Sequence, residues 1–188
     1  MTTLDDLWFL ADEASQRAEQ AYQRLRERYS GYLDDRCAHR VSRRRFRTLA
    51  RRVKRTGAPY GAQTIVSSGG GDVLLVRHEG ADLWVLPGGE VNEGETHREA
   101  AVRELREEAG IAADYRGLAV AERVDIRCSD CETWGVLPVF AAAAEGATPR
   151  VRDPDGEISA ARWFPVDDLP ADTRDRADLR TWCDRATP

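Results

Sequence analysis

The sequence contains no long apolar run: none of its hydrophobic stretches approaches the roughly 18 residues that a transmembrane helix requires. Its N-terminal segment, which carries Asp5 and Asp6, also lacks the positively charged and apolar regions of a signal peptide. Apolar residues still make up 41% of the 188 residues, which is enough for a folded core. We therefore expect a cytoplasmic protein without a membrane partner.

Cysteine is also scarce, and the four cysteines stand at positions 37, 128, 131 and 183. Cys128 and Cys131 have the spacing of half a zinc site, which Cys37 with His39, or Cys183, could complete if the fold brought them together. A redox pair and reduced thiols in a reducing compartment are the alternatives. The spacing alone leaves these three interpretations open.

Acidic residues are missing between Arg36 and Thr56, where ten residues are lysine or arginine. Removing these ten charges from the net charge of −5 leaves −15 for the rest of the chain. Such a segment can lie against the acidic remainder of the protein or a second subunit, or it can help to bind an anionic substrate. Nucleic acid is the less favoured partner, although phosphate contacts dominate nucleic-acid affinity.

The most informative segment is residues 89–111, which read GEVNEGETHREAAVRELREEAGI. Thr96 and Glu99 have the spacing of a capping box, and Gly110 stands where a helix C-terminus favours a left-handed residue. These signals predict a helix between the two caps. Its apolar stripe, roughly opposite the glutamates, consists of Ala101, Val102, Leu105 and Ala109.

Three glutamates of this helix, Glu104, Glu107 and Glu108, lie within one turn because residues three and four apart are neighbours on a helix. Like charges at this distance repel each other, so the pattern indicates a bound cation. Mg²⁺ and Mn²⁺ prefer oxygen ligands, whereas no histidine or cysteine stands between positions 103 and 110 to favour zinc. An ordinary solvated helix face is the alternative.

The whole string from Gly89 through Glu95 to Ile111 resembles the signature of the Nudix hydrolases, with every fixed position filled. The resemblance extends from about Tyr60 to about Leu169, and it includes VLLVRHEGADLWVLPGGE upstream and EISAARWFPVDDLP downstream. It implies an α/β fold, namely a Nudix-type α/β/α sandwich with a mixed β-sheet. It also implies hydrolysis of a nucleoside diphosphate linked to another moiety, by attack of water on phosphorus in the presence of Mg²⁺ or Mn²⁺.

Within the motif, the resemblance implies that Glu104, Glu107 and Glu108 bind the metal and that one of them accepts a proton from the attacking water. Family members differ in which glutamate is this base, so the choice stays open. Arg103 is expected to orient a glutamate through hydrogen bonds, and Glu95 is expected to support the site.

Two further contributions are expected from outside the helix. The backbone carbonyl of Gly88, next to Gly89, is a candidate metal ligand, and Glu157 is the candidate catalytic carboxylate from a loop that precedes the last strand. Asp153 and Asp155 are neighbours that could replace Glu157, and a loop acid that faces water is the alternative. The expected catalytic residues are Arg103, Glu104, Glu107 and Glu157.

Substrate contacts are expected at Trp84, which could stack on a base, and at Arg77, which could meet a phosphate. Packing and surface roles are the alternatives for both. The substrate stays open between ADP-ribose, a nucleotide sugar and a nucleoside triphosphate. An RNA 5′-pyrophosphate processing enzyme and a nucleotide-sensing domain without catalysis are the alternatives in function, and the intact motif argues against the second. The expected substrate-binding residues are Arg77, Trp84, Gly89 and Glu95.

The chain is predicted to divide near residues 56–60, where glycine and proline interrupt a helical pattern. This places an N-terminal helical extension at residues 1–56 and a Nudix hydrolase domain at residues 57–188. The extension is predicted to contain one amphipathic helix to about Ser30 and a second from about Asp35 to Val53.

The apolar stripe of the first helix has to be covered, either by the chain itself or by a second subunit. A homodimer is therefore expected. Beyond the extension, we expect strands near residues 62–67, 73–78, 115–127, 133–142 and 162–165, and a helix from about residue 171 to 185.

Overall fold

The computed structural model describes residues 4–186. Within this range the chain forms four α-helices, eight β-strands and a 3₁₀ turn at Val166–Asp168. None of these helices is long and apolar enough to cross a membrane. In chain order the elements are α1 (Leu4–Arg28), β1 (Leu33–Arg40), α2 (Arg43–Thr56), β2 (Ala62–Ser67), β3 (Asp72–His78), β4 (Leu83–Val85), β5 (Gly88–Gly89), α3 (His97–Ala109), β6 (Asp114–Arg127), β7 (Glu132–Ala143), β8 (Ile158–Pro165) and α4 (Arg176–Ala186).

The chain folds as two units. Of the described residues, the N-terminal unit holds 4–61 and Val120–Pro138, and the C-terminal unit holds Ala62–Ala119 and 139–186. Strands β6 and β7 contribute residues to both units. The predicted boundary between residues 56 and 57, as a limit between independent domains, stays a prediction.

In the N-terminal unit α1 packs against α2. Gly57 ends α2 with a φ of 85°, and it lies so close to α1 that a Cβ at this position would stand 2.3 Å from the Cβ of Ala21. The predicted first helix is confirmed. Its stripe is buried within the unit, so it no longer argues for a dimer, which stays a prediction. The buried α1 residues are Leu7, Ala11, Ala14, Ala18, Ala21 and Leu25.

The prediction of a second helix from Asp35 to Val53 is wrong in its first part, because strand β1 occupies Leu33–Arg40. This strand pairs in parallel with β6, with Leu33 opposite Val120 and Arg40 opposite Arg127. The pairing partner is distant in sequence, and tertiary pairing overrides the local helical preference of the arginines. Helix α2 begins only after Ser42, whose side chain accepts a hydrogen bond from the backbone N–H of Arg45.

The C-terminal unit is built around a sheet in the order β7-β2-β3-β4, in which β5 also pairs with β2 and β8 with β3. The β2–β7 pair is parallel and the β3–β4, β3–β8 and β2–β5 pairs are antiparallel, so the predicted mixed sheet is confirmed. Helix α3 packs against β2 and β5. The core between the sheet and this helix includes Val66, Leu74, Val76, Leu105 and Ile111.

Two boundaries differ from the sequence expectation, and two short strands were not predicted. Strand β8 begins at Ile158, four residues before the expected start, because it continues the antiparallel pairing with β3. The last helix begins at Arg176 instead of residue 171, since the chain first forms a 3₁₀ turn and a bridge between Thr173 and Trp84. The short strands β4 and β5 had no sequence signal longer than three residues.

The close packing of α2 on β7 can be tested at Gly135. A Cβ at this position would lie 2.5 Å from Pro59 Cδ and 2.8 Å from Val53 Cγ2. We expect Gly135→Ala to lower the free energy of unfolding by about 1–3 kcal/mol, because the neighbouring helix end would have to shift. Gly70→Ala is the matched control, since a Cβ there would meet nothing nearer than Ser68 Oγ at 3.7 Å. Denaturant unfolding that gives equal stabilities for the two variants would contradict this packing.

Candidate active site

Helix α3 is fixed by its caps. The Thr96 side chain accepts from the Glu99 backbone N–H while the Glu99 carboxylate accepts from the Thr96 backbone, which completes the predicted capping box. At the other end Gly110 adopts a φ of 65°, as predicted for a left-handed cap. Both caps use local hydrogen bonds, and this explains why the sequence alone located the helix.

The glycine turn brings backbone directly against the helix. Gly88 has a φ of 151°, and a Cβ there would stand 2.3 Å from the carbonyl oxygen of Ala62. A Cβ on Gly89 would stand 2.6 Å from Glu104 Oε1. At position 88 the clash is with backbone, so only glycine fits there, whereas a side chain at position 89 would displace the carboxylate of Glu104. The missing side chains therefore let the carboxylate of Glu104 lie against the turn.

Arg103 links the acidic side chains. Its guanidinium donates from Nε and Nη2 to the two carboxylate oxygens of Glu95, at 2.7 and 3.0 Å. Its Nη1 donates to Glu104 Oε1 at 2.8 Å and to Glu107 Oε2 at 3.1 Å. The hydrogen bonds with Glu95, followed by those with Glu104 and Glu107, raise the pKa of Arg103, and the Arg103 guanidinium holds the pKa of Glu95 below its usual range. Arg103 thus lies where it can orient two motif glutamates at once.

Glu108 is the most buried of the three motif glutamates, with 8% of its surface exposed. Its Oε2 accepts a hydrogen bond of 2.8 Å from the backbone N–H of Gly88. Burial raises the pKa of Glu108 to about 8, and the negative charges of Glu104, Asp153 and Glu157 act in the same direction, whereas the Gly88 N–H opposes it. A solvated helix face is therefore excluded for this residue. Glu108 also lies on the buried side of α3, whereas the sequence predicted that the glutamates lie roughly opposite the apolar stripe.

Glu104 is in a similar but milder environment. Burial raises its pKa, the guanidinium of Arg103 opposes this shift, and the charges of Glu107 and Asp155 reinforce it. The single positive charge of Arg103 therefore does not compensate the several negative charges around α3. Glu107 is the more exposed member, with 36% of its side chain accessible.

The loop before β8 supplies the additional acids that the sequence indicated. Asp153 accepts from the backbone N–H groups of Glu157 and Ile158 at 2.6 and 2.8 Å, and its other oxygen accepts from Asp155 at 3.0 Å. Asp153 therefore holds the loop, whereas the Glu157 side chain is 67% exposed and lies 3.7 Å from His78 Nε2. The backbone N–H of Arg152 donates to the carbonyl of Glu107 at 2.9 Å, and this hydrogen bond brings the loop and the motif helix together.

Arg77 and Trp84 are engaged elsewhere in the C-terminal unit. Arg77 forms ion pairs with Asp172, at 2.5 Å, and with Asp82. The ring of Trp84 packs edge to face on Phe164, with centroids 4.9 Å apart, and its backbone bonds to residues 172 and 174. Both side chains thus fulfil the packing alternative, and their roles in substrate binding stay predictions.

Hard oxygen donors dominate the site, which suits Mg²⁺ or Mn²⁺ better than zinc. Within residues 4–186, however, no three acidic, histidine or cysteine side chains already enclose one point. Cys128 and Cys131 are buried, and the backbone N–H of Cys128 donates to the carbonyl of Cys131. Cys37 lies opposite Val124 in the β1–β6 pairing, four positions from Cys128. The zinc alternative therefore finds no support in the described part of the chain.

One contact escaped the sequence analysis. The Nη2 of Arg103 donates to the backbone carbonyl of Glu90 at 2.8 Å, which connects the helix to the loop that precedes it. Every residue carries a carbonyl, so no residue pattern could have revealed this acceptor. The backbone N–H of Gly88 is a similar case, because the sequence pointed only to its carbonyl.

Comparisons with known proteins agree with this arrangement. A profile of the NUDIX domain matches residues 58–185. The chain is 41% identical over 103 residues, 53% of its length and 70% of the relative, to the protein named "Putative 8-oxo-dGTP diphosphatase 2" of Mycobacterium tuberculosis. It is 33% identical to the RNA pyrophosphohydrolase of Halorhodospira halophila over 124 residues, 56% of this chain and 67% of that protein.

The chain belongs to the Nudix hydrolase family. The matched range contains the glycine turn, helix α3 and the acidic loop, so the resemblance and the prediction of a Nudix pyrophosphohydrolase are confirmed. A solved structure, the NUDIX domain of Shewanella oneidensis NrtR complexed with ADP ribose, aligns with a TM-score of 0.52 at 18% identity over 68% of this chain and 86% of that chain. At this identity the likeness shows the Nudix fold alone.

The raised pKa of Glu108 predicts a pH dependence of stability in the metal-free protein. Because the folded state retains this proton up to about pH 8, whereas the unfolded chain releases it near pH 4.5, the contribution is complete below pH 4.5 and is lost as the pH rises towards 8. In the wild type this loss lowers the free energy of unfolding by up to about 1.4 kcal/mol per pH unit, and Glu108→Gln should abolish it. Urea unfolding in EDTA at several pH values measures this.

The control for this prediction is Glu93→Gln, which changes an exposed glutamate in the loop before α3. Its stability should vary with pH as that of the wild type does. A Glu108→Gln variant whose stability falls as steeply as that of the wild type would show that Glu108 is ionised in the metal-free fold.

Proposed function

We propose that the protein is a divalent-metal-dependent hydrolase that cleaves the pyrophosphate bond of a nucleoside diphosphate linked to another moiety. The observation that carries this proposal is the crowding of Glu104 and Glu108 into a half-buried site with the charges of Asp153 and Glu157. Ionised carboxylates in this environment are unfavourable until a cation compensates them. The site is therefore suited to a doubly charged ion and to the phosphates that accompany it.

The donor chemistry fits Mg²⁺ or Mn²⁺. Glu104, Glu107 and Glu108 would supply carboxylate oxygens. Gly88 would supply its carbonyl oxygen, while its backbone N–H donates a hydrogen bond to Glu108. When bound, such an ion neutralises phosphate oxygens and lowers the pKa of water. The role that we assign to Arg103 is to hold the carboxylates of Glu104 and Glu107 at a fixed spacing through its two Nη1 contacts.

Two residues are candidates for the base, Glu108 and Glu157. A proton acceptor works best when its pKa lies near the working pH, and in the metal-free site burial raises the pKa of Glu108 to about 8. Glu157 is the candidate from the loop, because its carboxylate is accessible and its charge acts on Glu108. Glu108 as ligand and Glu157 as base, or the reverse, are distinguished by the pH profile of each glutamine variant.

A nucleoside triphosphate is the substrate class that the likenesses favour. The mycobacterial relative bears the name of an 8-oxo-dGTP diphosphatase and shares 41% of 103 residues. ADP-ribose and nucleotide sugars stay candidates, because the Nudix motif does not distinguish these substrate classes. A phosphate-release screen with Mg²⁺ or Mn²⁺ over these three classes identifies the substrate.

The site assignment predicts that Glu104→Gln and Glu108→Gln lower kcat by about 100-fold or more, the range that the loss of one charged catalytic group covers. The reason is that each variant keeps the shape of the side chain but removes a negative charge from the cation site. Turnover of the best substrate of the screen, measured at saturating Mg²⁺, gives the comparison.

Glu93→Gln should keep wild-type turnover, and circular dichroism should show that all variants fold. Wild-type turnover in both Glu104→Gln and Glu108→Gln would overturn the assignment of the site. Loss of turnover in Glu93→Gln would show that the effect is not specific to the cluster.

RNA 5′-pyrophosphate processing is the second candidate. The observation that favours it is the row of exposed cations on α2, which has no acidic residue in its first turn. Triphosphorylated RNA therefore belongs in the same screen. Cleavage of RNA that falls steeply with salt, without cleavage of mononucleotides, would replace the first candidate by this one.

A further inference from the structure

The N-terminal unit contains a cavity of its own, with a volume of about 630 Å³. This volume lies within the range of roughly 300–1,000 Å³ that small-molecule sites occupy. The cavity opens between α1, β1 and the turn that joins β6 to β7, and none of its walls belongs to the glutamate cluster. Its principal side chains are Trp8, Arg36, Arg40, Arg123, Asp125 and Trp134.

A buried carboxylate organises the cations of this cavity. Asp125 is 6% exposed, and it accepts from Arg36 at 2.6 and 2.8 Å on one oxygen and from Arg123 at 3.0 Å on the other. Although burial opposes it, the hydrogen bonds from the two guanidinium groups hold the pKa of Asp125 below its usual range. Two guanidinium groups thus share one carboxylate, which leaves one positive charge in excess and both groups held in place.

The other charges of the lining are nearly balanced. Arg127 pairs with Glu132 at 3.6 Å, and Asp130 pairs with Arg43 of α2. Asp12 is exposed and accepts from Gln16 at 2.9 Å. Arg40 is the remaining charged residue of the lining.

Arg40 is exposed at the end of β1. In the part of the chain that the structure describes, no ion pair or side-chain hydrogen bond engages its guanidinium. Arginine presents several N–H donors in a plane and binds phosphate or carboxylate groups bidentately. Together with Arg36 and Arg123, it makes this cavity a site where an anionic group can replace water.

The two tryptophans of the cavity differ in exposure, and the exposed one offers a face on which an aromatic ring can stack. Trp134 is 9% exposed and already carries the guanidinium of Arg123 at 4.1 Å from its ring centroid. Trp8 lines the same cavity with 65% of its surface exposed. An open indole face beside arginines offers stacking for a base and hydrogen bonds for a phosphate.

We propose that this cavity is a second nucleotide-binding site, in which the base stacks on Trp8 and the phosphate contacts Arg36, Arg40 and Arg123. The site is separate from the proposed catalytic function and does not depend on it. Its ligand class is a nucleoside phosphate, because neither a free phosphate nor a nucleoside would use both the indole and the guanidinium groups.

The test is calorimetric titration of the full-length protein in EDTA with AMP, which contains no pyrophosphate bond. Adenosine and inorganic phosphate are the partial probes. AMP should bind with one site per chain, and each partial probe should bind at least about tenfold more weakly, since stacking and charge-assisted hydrogen bonds each contribute roughly that factor.

Matched variants locate the binding. Trp8→Ala and Arg40→Gln should each weaken AMP about tenfold, whereas Phe9→Ala and Arg51→Gln, which change an exposed aromatic and an exposed arginine outside the lining, should not. Trp8→Phe should restore part of the affinity. Glu108→Gln should leave AMP binding unchanged, which separates this site from the motif helix.

Three results would overturn the proposal. The first is the absence of detectable AMP binding at concentrations up to about 1 mM. The second is AMP binding that Glu108→Gln abolishes and Trp8→Ala leaves intact. The third is binding of a short single-stranded oligonucleotide without binding of AMP, which would make the surface a nucleic-acid contact.

Discussion

The candidate active site depends on the contacts of one guanidinium group, that of Arg103. It joins Glu95 bidentately, reaches Glu104 and Glu107 through a single nitrogen, and donates to the backbone of Glu90. A lysine could supply the charge but not this planar set of donors. Because three-quarters of the Arg103 side chain is buried, its charge acts at short range on carboxylates that water screens poorly.

The glutamate cluster and the glycine turn complement each other. Glu108 enters the interior only because Gly88 offers a backbone N–H, and Glu104 can lie on the turn only because Gly89 has no side chain. The result is a pair of carboxyl groups whose raised pKa values reflect burial more than mutual repulsion. The cation that we propose would compete with a proton for Glu108, so folding stability, pH and metal binding should be linked at this site.

The sequence predicted those features that local hydrogen bonds or short spacings determine. Helix α3 was found because Thr96 and Gly110 cap it, and its family because the motif is complete. Strand β1 was missed, since its hydrogen bonds lead to β6, almost 90 residues away in register. The burial of Glu108 could not be foreseen either, because it depends on the turn at Gly88 and on a loop outside the motif.

The N-terminal unit shows the same limit in another form. The sequence showed its arginines as a positively charged segment, but it did not show which acidic residues they pair with. Asp125 collects Arg36 and Arg123 from different strands, and this arrangement follows from the parallel pairing of β1 with β6, which places Ala38 opposite Asp125. The pairing that the sequence missed is therefore also what forms the proposed second site.

The central claim is that Glu108 and the carboxylates ordered by Arg103 together hold a divalent cation. Titration of the full-length protein with Mn²⁺, followed by the loss of the free-ion electron paramagnetic resonance signal, tests it most directly. The account predicts that the wild type binds Mn²⁺ more tightly as the pH rises towards about 8, where Glu108 loses its proton, and that Glu108→Gln loses both affinity and this pH dependence. Equal affinity and an equal pH dependence in the wild type and Glu108→Gln would contradict it.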